Sequence, residues 1–305
     1  MIQQIGMATR RSRLSLWQAD FVAAEIKSLD ANLQIEIVPI TTTGDRRTDV
    51  HLAQIGGKGL FIEEIEHCLR EQEADIAVHC LKDLPGDMPD DCVIAAVLER
   101  GNPSDVLVSR DESKLDDLPK GATIGTCSLR RASQIKAYRR DLQIVPMRGN
   151  VDTRISKLDQ GDCDALVLAA IGLERLELQH RITETLSHDI CLPAVGQGTL
   201  IIECSADRDD LKTLIGRLQH HRSYVAATAE RTLTQALNAD CHSAIGVYAR
   251  YINDHDVHLE AMVADPEGNT VIRDQATGSE SDPVALGEAL AAKMQALGAE
   301  ELLHG

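Results

Sequence analysis

The sequence predicts an α/β protein: two similar halves on mainly parallel sheets, followed by a smaller α+β domain. Three observations carry that expectation. Short apolar strands alternate with helical periodicity through about residue 219, the pattern of parallel sheets with helices packed on them. One segment is written twice, as Gly6-Met7-Ala8-Thr9-Arg10-Arg11-Ser12 and as Gly125-Thr126-Cys127-Ser128-Leu129-Arg130-Arg131, each after an isoleucine, Ile5 or Ile124. From about 222 onward the alternation gives way to a helix, three polar–apolar alternating strands and a last helix.

Taken in order, the first half reads strand (2–9), helix (12–29), strand (34–41), helix (59–71) and strand (74–80). The second half repeats it: strand (122–128), helix (129–139), strand (143–147), helix (151–160) and strand (165–170). Two further echoes keep the same order, Ile37-Val38-Pro39-Ile40 with Ile144-Val145-Pro146-Met147, and Asp75-Ile76-Ala77-Val78 with Asp164-Ala165-Leu166-Val167. Glu99-Arg100-Gly101-Asn102-Pro103-Ser104 reads as a crossover between halves. Leu192-Pro193-Ala194-Val195-Gly196-Gln197-Gly198 reads as a second one, leading to a strand at 199–204 that returns to the first half and a helix near 208–219. The tail predicts a helix (222–238), strands near 244–253, 256–264 and 270–277, and a helix over 283–298. The turns between those strands fall at Asn253-Asp254 and Asp265-Pro266-Glu267-Gly268-Asn269. The expected domains are therefore 1–98 with 198–219, 103–192, and 222–305.

Composition narrows the partners. Across 305 residues, 43% hydrophobic and 26% charged content is ordinary for a soluble globular chain. A net charge of −17 and only 2% aromatics argue against nucleic acid, which needs a basic footprint or stacking platforms. A small anion is still admitted, because screening over about 8 Å lets nearby arginines outweigh distant carboxylates. The start, Met1-Ile2-Gln3-Gln4-Ile5-Gly6, shows no secretory pattern, and no apolar run is long enough to span a bilayer. Eight cysteines without a C-x-x-C pair fit reduced thiols in cytoplasm rather than a disulfide framework or a zinc site. No metal site is expected; His255 and His258 would face opposite sides of an extended strand.

The doubled segment carries the chemistry. Each copy delivers a hydroxyl and an arginine pair from a strand end to the first turn of a helix, where bare N–H groups and the helix dipole favour anions. Ligands of open α/β sheets sit beyond the strands' carboxyl ends, where Arg10, Arg11, Arg130, Arg131 and Arg148 fall. Arg148 and Arg154 flank another helix start, and Arg175 follows in Leu173-Glu174-Arg175. A single arginine usually lies on a solvated face, the reading that fits Arg139-Arg140; five clustered at strand ends favour a ligand. The run Asp75-Ile76-Ala77-Val78-His79-Cys80-Leu81-Lys82-Asp83-Leu84-Pro85 feeds a buried strand into Lys82 and Asp83. Alone that pair reads as a surface ion pair. Facing an arginine-lined cleft, Asp83 becomes the best candidate for handling a cationic centre. Gly56-Gly57-Lys58-Gly59 fails the P-loop pattern, since Gly59 stands where Ser or Thr is needed and Leu52 where the first glycine belongs. Lys58 would contact an anion from a folded-over loop, unless the segment is an ordinary glycine turn. Ala239-Asp240-Cys241-His242-Ser243-Ala244 places one of the eight cysteines in a loop, where a thiol is more available than within a strand.

These motifs in order resemble the hydroxymethylbilane synthase (porphobilinogen deaminase) family over essentially the whole chain. The resemblance rests on Ala8-Thr9-Arg10-Arg11-Ser12 through Leu16-Trp17-Gln18-Ala19, Thr43-Gly44-Asp45, Gly56 to Phe61, and His79 to Asp83. It continues through Gly125 to Arg131, Arg148-Gly149-Asn150, Leu192 to Gly198 and the Cys241 loop. It implies two domains like type II periplasmic binding proteins plus a C-terminal α+β domain. It implies condensation of four porphobilinogen molecules into hydroxymethylbilane with release of ammonia, primed by a dipyrromethane cofactor. By the same resemblance the cofactor hangs from Cys241 through a thioether and Asp83 is catalytic. Cofactor contacts are then expected from Lys82, Asp83, Thr126, Ser128, Arg130, Arg131, Arg148 and Arg154. Substrate contacts are expected from Arg10, Ser12, Lys58, Arg148, Arg154 and Arg175. A cytoplasmic monomer without nucleic acid or membrane partner is expected. The family usually has glycines before the cofactor cysteine, where this chain has Ala239-Asp240. Asp240 beside Cys241 disfavours the thiolate electrostatically. Cys80 and Cys127 stand where serine is common, and Ala244 where proline is. The rival reading is a non-enzymatic clamshell binder of organic carboxylates; a phosphate-handling transferase is disfavoured by the failed P-loop.

Overall fold

The computed structural model describes residues 2–42, 62–239 and 243–304. They divide into two compact units, one of residues 1–100 with 199–224 and one of residues 101–198 with 225–305.

The first unit is built on β1 (Gln4–Arg10), α1 (Arg13–Leu29), β2 (Gln34–Ile40), α2 (Glu63–Arg70), β3 (Ile76–Cys80), β4 (Cys92–Val97), β10 (Leu200–Ser205) and α6 (Asp209–Ile215). Its sheet has the order β2-β1-β3-β10-β4. The strands β1, β2 and β3 pair in parallel, whereas β10 is antiparallel to both β3 and β4. Four strands therefore point one way and the late strand β10 points the other. Alternation sends Ile5, Met7, Ile76, Val78 and Ile202 to one face, against Ala19, Val22 and Ile26 of α1. Ala8, Ala77 and Cys92 meet Ile65, Cys68 and Leu69 of α2 on the other. Each fully buried Ile or Val contributes roughly 1.5–3 kcal/mol.

The second unit repeats the plan with β5 (Asp105–Ser109), β6 (Thr123–Gly125), α3 (Leu129–Tyr138), β7 (Gln143–Val145), α4 (Val151–Gln160), β8 (Ala165–Ala169), α5 (Ala170–Arg175) and β9 (Glu184–Thr185). Its sheet order is β7-β6-β8-β5-β9, with β5 antiparallel to β8 and β9. Leu107, Ile124 and Val167 pack on Ile135 of α3, while Val106, Val108 and Leu168 pack on Ile155, Leu158 and Leu173. The same unit contains α7 (His221–Ala236) from residue 225 onward, β11 (Ile245–Tyr251), β12 (Asp256–Ala264), β13 (Val271–Ser279), α8 (Pro283–Ala296) and α9 (Ala299–His304). These last strands form an antiparallel sheet, β11-β12-β13, whose Val247, Ala249, Val257, Leu259 and Ala261 cover Leu233, Leu290 and Met294.

The repeated pattern is thus two mixed five-stranded sheets of one topology, each with a reversed strand fourth in sheet order. The strands β4 and β5 beside the first crossover, and the short α5, β9 and α9, go beyond the elements the sequence predicts. The predicted helix over 59–71 begins in residues that are not described; its described part is α2.

Candidate functional site

Each copy of the doubled segment ends its strand and caps the next helix with its own hydroxyl. Ser12 Oγ accepts from the Ser15 N–H at 3.1 Å at the start of α1, and Ser128 Oγ accepts from the Arg131 N–H at 3.4 Å at the start of α3. Thr126 Oγ1 accepts from the Ser128 N–H at 3.1 Å, so both predicted hydroxyls of the second copy brace the turn. The two helices present their arginines differently.

In the second unit, Arg130 and Arg131 fold inward. They are 4% and 6% exposed and converge on Asp105, which is fully buried at the head of β5. Arg130 Nη1 donates to Asp105 Oδ2 at 2.6 Å and to the Leu192 carbonyl at 2.6 Å. Arg131 donates to Asp105 Oδ1 through Nε at 3.0 Å and Nη2 at 2.7 Å, and through Nη1 to the Val167 carbonyl at 3.1 Å. Gln197 Nε2 adds a bond to the same Oδ1 at 3.0 Å. Burial alone would raise the Asp105 carboxyl; the Arg130 and Arg131 guanidinia outweigh it and hold the group far below the usual carboxylate range. Burial also pushes the neighbouring Cys191 thiol up to about 12, so it is uncharged. Two guanidinium charges against one carboxylate leave this group one positive charge in excess, out of water, at a helix start.

The other predicted arginines are placed nearby in sequence but in distinct settings. Arg148 is half-buried after β7, before Gly149, whose φ of +112° makes the turn into α4. Arg154 Nε bonds back to the Gly149 carbonyl at 2.7 Å. Arg175 is 9% exposed and donates to the Gly198 carbonyl at 3.2 Å, the point where Gly101 and Gly198 pass backbone to backbone. A Cβ on Gly198 would lie 2.7 Å from the Gly101 oxygen, and φ there is +93°, so that position excludes larger residues.

In the first unit, a cavity opens at the carboxyl end of β1 and β3. It is lined by Arg10, Ser15, Gln18, His79, Cys80 and Asp83, with Ile62, Ile65 and Val78 behind them. Asp83 ends a single 3₁₀ turn, Leu81–Asp83, that leaves β3 directly; Leu81 anchors the turn in the core while Asp83 stays exposed and Lys82 is half-buried. Gln18 Nε2 donates to Cys80 Sγ at 3.1 Å. Behind this wall His79 Nε2 lies 2.9 Å from Glu203 Oε2, with side chains 5% and 0% exposed. The approach is off the line on which an N–H would point at the oxygen, so the two groups touch as a close polar contact rather than a well-formed hydrogen bond.

The structure brings Arg10 and Asp83 to one cavity, and Thr126, Ser128, Arg130 and Arg131 to one helix start. It engages Arg130, Arg131 and Arg175 with partners inside the protein, where the sequence alone offers only ligand contact or a solvated face. Lys58 and Cys241 lie outside the described residues. Sequence pattern does not mark Asp105, Gln18 or Glu203 as site residues. A lone acid within the apolar run Leu200-Ile201-Ile202-Glu203-Cys204, and another heading Asp105-Val106-Leu107-Val108, were the signals available.

The chain matches two family models in succession: "Porphobilinogen deaminase, dipyromethane cofactor binding domain" over residues 5–213, and "Porphobilinogen deaminase, C-terminal domain" over residues 224–296. It is 45% identical over 297 residues to a porphobilinogen deaminase of Brevibacillus brevis, covering 97% of this chain and 96% of that one. It is 46% identical over 303 residues to one of Francisella tularensis subsp. novicida, covering 99% and 100%. Among solved structures it resembles the VFT2 domain of Bordetella pertussis BvgS at 15% identity and a TM-score of 0.43, over 71% of this chain and 86% of that one, too loose an overlap to bear on the fold. With near-complete coverage on both sides and both family models in sequence order, the chain belongs to the porphobilinogen deaminase family.

Proposed function

We propose that this chain condenses four porphobilinogen molecules head to tail into hydroxymethylbilane, releasing one ammonia at each coupling, with a dipyrromethane as its resident primer. The observation that carries this reading is the consecutive match to both family models across residues 5–296.

The residues present fit such a group. A dipyrromethane built from porphobilinogen bears acetate and propionate carboxylates, and the Asp105–Arg130–Arg131 cluster has one positive charge more than its own carboxylate balances. Arg130, Arg131, Arg148 and Arg154, with Thr126 and Ser128, would hold it, together with Lys82 and Asp83, and Cys241 would carry it by a thioether. When bound, it supplies the pyrrole from which the chain grows.

The protein's own groups do the rest. Loss of ammonia from porphobilinogen leaves an electron-poor ring, and a fixed carboxylate beside it stabilises the positive charge. Asp83 is that carboxylate: it stands at the cavity mouth on a turn anchored by Leu81. It also holds or moves the ring N–H proton. Arg10 in the same cavity binds a carboxylate of the incoming ring, and charge-assisted bonds of this kind are worth roughly 1.5–3 kcal/mol each. Ser12, Lys58 and Arg175 complete the proposed substrate set. The reading carries with it a monomer working in the cytoplasm without nucleic acid. No described helix is long and apolar enough to cross a membrane, and the described cysteines are free thiols.

Intact mass tests the proposal. The purified chain should weigh more than its polypeptide by one dipyrromethane, and Cys241→Ser should lose that excess. Asp83→Asn should keep the excess and lose nearly all turnover. A wild-type chain that makes hydroxymethylbilane with no added mass, or an Asp83→Asn chain at near-normal rate, overturns the assignment. A plain carboxylate binder would show neither added mass nor product.

A further inference from the structure

Behind the cavity wall the first unit buries more acid than it balances. Glu203, in the middle of β10, is fully buried, and Glu66 of α2 is 4% exposed. The two are close enough that the Glu203 charge helps raise the Glu66 carboxyl, second only to burial itself. Arg70 is the one arginine or lysine with an ion pair to either acid among the described residues, and it is shared. Its Nη2 reaches Glu66 Oε2 at 3.2 Å while its Nε binds the half-exposed Asp91 at 2.6 Å. From β4 the pair faces Cys92, whose thiol burial and the Glu203 charge push up to about 12, so it brings no charge. From β3 it faces His79, whose Nε2 touches Glu203 and which is also among the residues lining the cavity with Arg10, Cys80 and Asp83.

Two ionised carboxylates at this depth with half an arginine between them would cost several kcal/mol per uncompensated ion (of the order given for buried charges). A proton held within the group would remove that cost. Apolar residues of similar volume would fill the site without such a burden, and a buried acid cluster abutting a cleft is a mark of function.

We infer that Glu66, Glu203 and His79 form a proton store for the reaction at Asp83, with His79 as its face on the cavity. This rests on the proposed function for that cavity. At each coupling the substrate's C–N bond breaks and a C–C bond forms. The carbon gaining the new bond sheds one proton, and the substrate's neutral amino group takes one up as its C–N bond breaks, so that it leaves as ammonia. The store accepts the first proton through His79 and supplies the second, so the cluster returns to its starting state after every ring. His79 and Glu203 are positioning and relay residues; Asp83 alone meets the charged ring.

Two measurements on the full-length, cofactor-loaded protein test this. Infrared spectroscopy of the wild type at neutral pH should show a protonated carboxyl C=O stretch that shifts in D2O and disappears in Glu66→Gln. In steady-state kinetics, His79→Gln and Glu203→Gln should each lower kcat about 10- to 100-fold, the lower part of the range for general acid–base groups. KM should stay within about twofold, the pH profile of kcat should move, and the mass excess should be retained. His79→Asn serves if His79→Gln fails to fold. Absence of the protonated carboxyl band in the wild type overturns the store, as does a kcat within about twofold of wild type, with an unmoved pH profile, in both His79 and Glu203 variants. The infrared arm needs no turnover, so a failed store and a failed reaction assignment give different results.

Discussion

Replacing Asp105 by asparagine tests whether the second unit is organised around one buried carboxylate. The side chain accepts five hydrogen bonds from protein donors: one from Arg130, two from Arg131, one from Gln197 and one from the Cys191 thiol at 3.3 Å. Asparagine preserves the shape but removes the charge, leaving two guanidinia 5% and 8% exposed with no counter-ion. Breaking one side of such a pair costs about 3–5 kcal/mol. With a urea dependence near 3 kcal/mol per molar, the unfolding midpoint should fall by about 1–1.7 M. The half-exposed pair Arg181–Asp159 is the control: Asp159→Asn should change stability by no more than about 1 kcal/mol. The sign with pH follows from the depressed Asp105 carboxyl. Its contribution is complete above the ordinary carboxylate range and is lost as pH falls towards the lower folded-state value. Wild type should therefore lose stability in acid more steeply than Asp105→Asn. Equal midpoints for wild type and Asp105→Asn at neutral pH would refute this account of the cluster.

Glu66 carries the opposite sign: its carboxyl is raised, chiefly by burial and then by Glu203. The folded state therefore loses stability as pH rises from the ordinary carboxylate range through the raised value, and Glu66→Gln should gain on wild type in thermal melts above that window and not below it. Gly268 sits at φ +69° in the β12–β13 turn, where a Cβ would strike the Ser133 carbonyl and lie 2.8 Å from the Ala137 nitrogen of α3. Gly268→Ala should cost about 1–3 kcal/mol and speed amide exchange in α3; unchanged exchange would mean that the turn does not brace the helix. Ser128→Ala should destabilise by about 1 kcal/mol through loss of its cap, and Ser12→Ala by a similar amount, read by calorimetry.

The strand–helix alternation and the doubled Gly–Arg segment were legible because period and turn chemistry are local. The observed β1, α1, β3, α3, α4 and β12 lie within about three residues of the expected ranges. The reversed strands β5 and β10 were harder. Asp105-Val106-Leu107-Val108 and Leu200-Ile201-Ile202 are apolar either way round, and nothing in a short buried run encodes direction. Arg130 and Arg131 show the same limit at the level of a side chain. Two arginines at a helix start read as an anion site, but the acid that holds them, Asp105, is 25 and 26 residues upstream. Glu203 was visible as a charge inside an apolar strand, yet only the fold puts it against His79.

The strand orders of the two large sheets have a consequence for how the polypeptide is made. The sheet of the second unit has all its strands once residue 185 has emerged, whereas that of the first unit lacks its inner strand until residue 205. A nascent chain leaving the ribosome from its amino end thus holds β3 and β4 with no neighbour between them while more than a hundred further residues are synthesised. The later lobe can close before the earlier one, and in that interval β3 offers an unpaired edge of Ile76, Ala77 and Val78 to any chaperone or misfolding partner within reach.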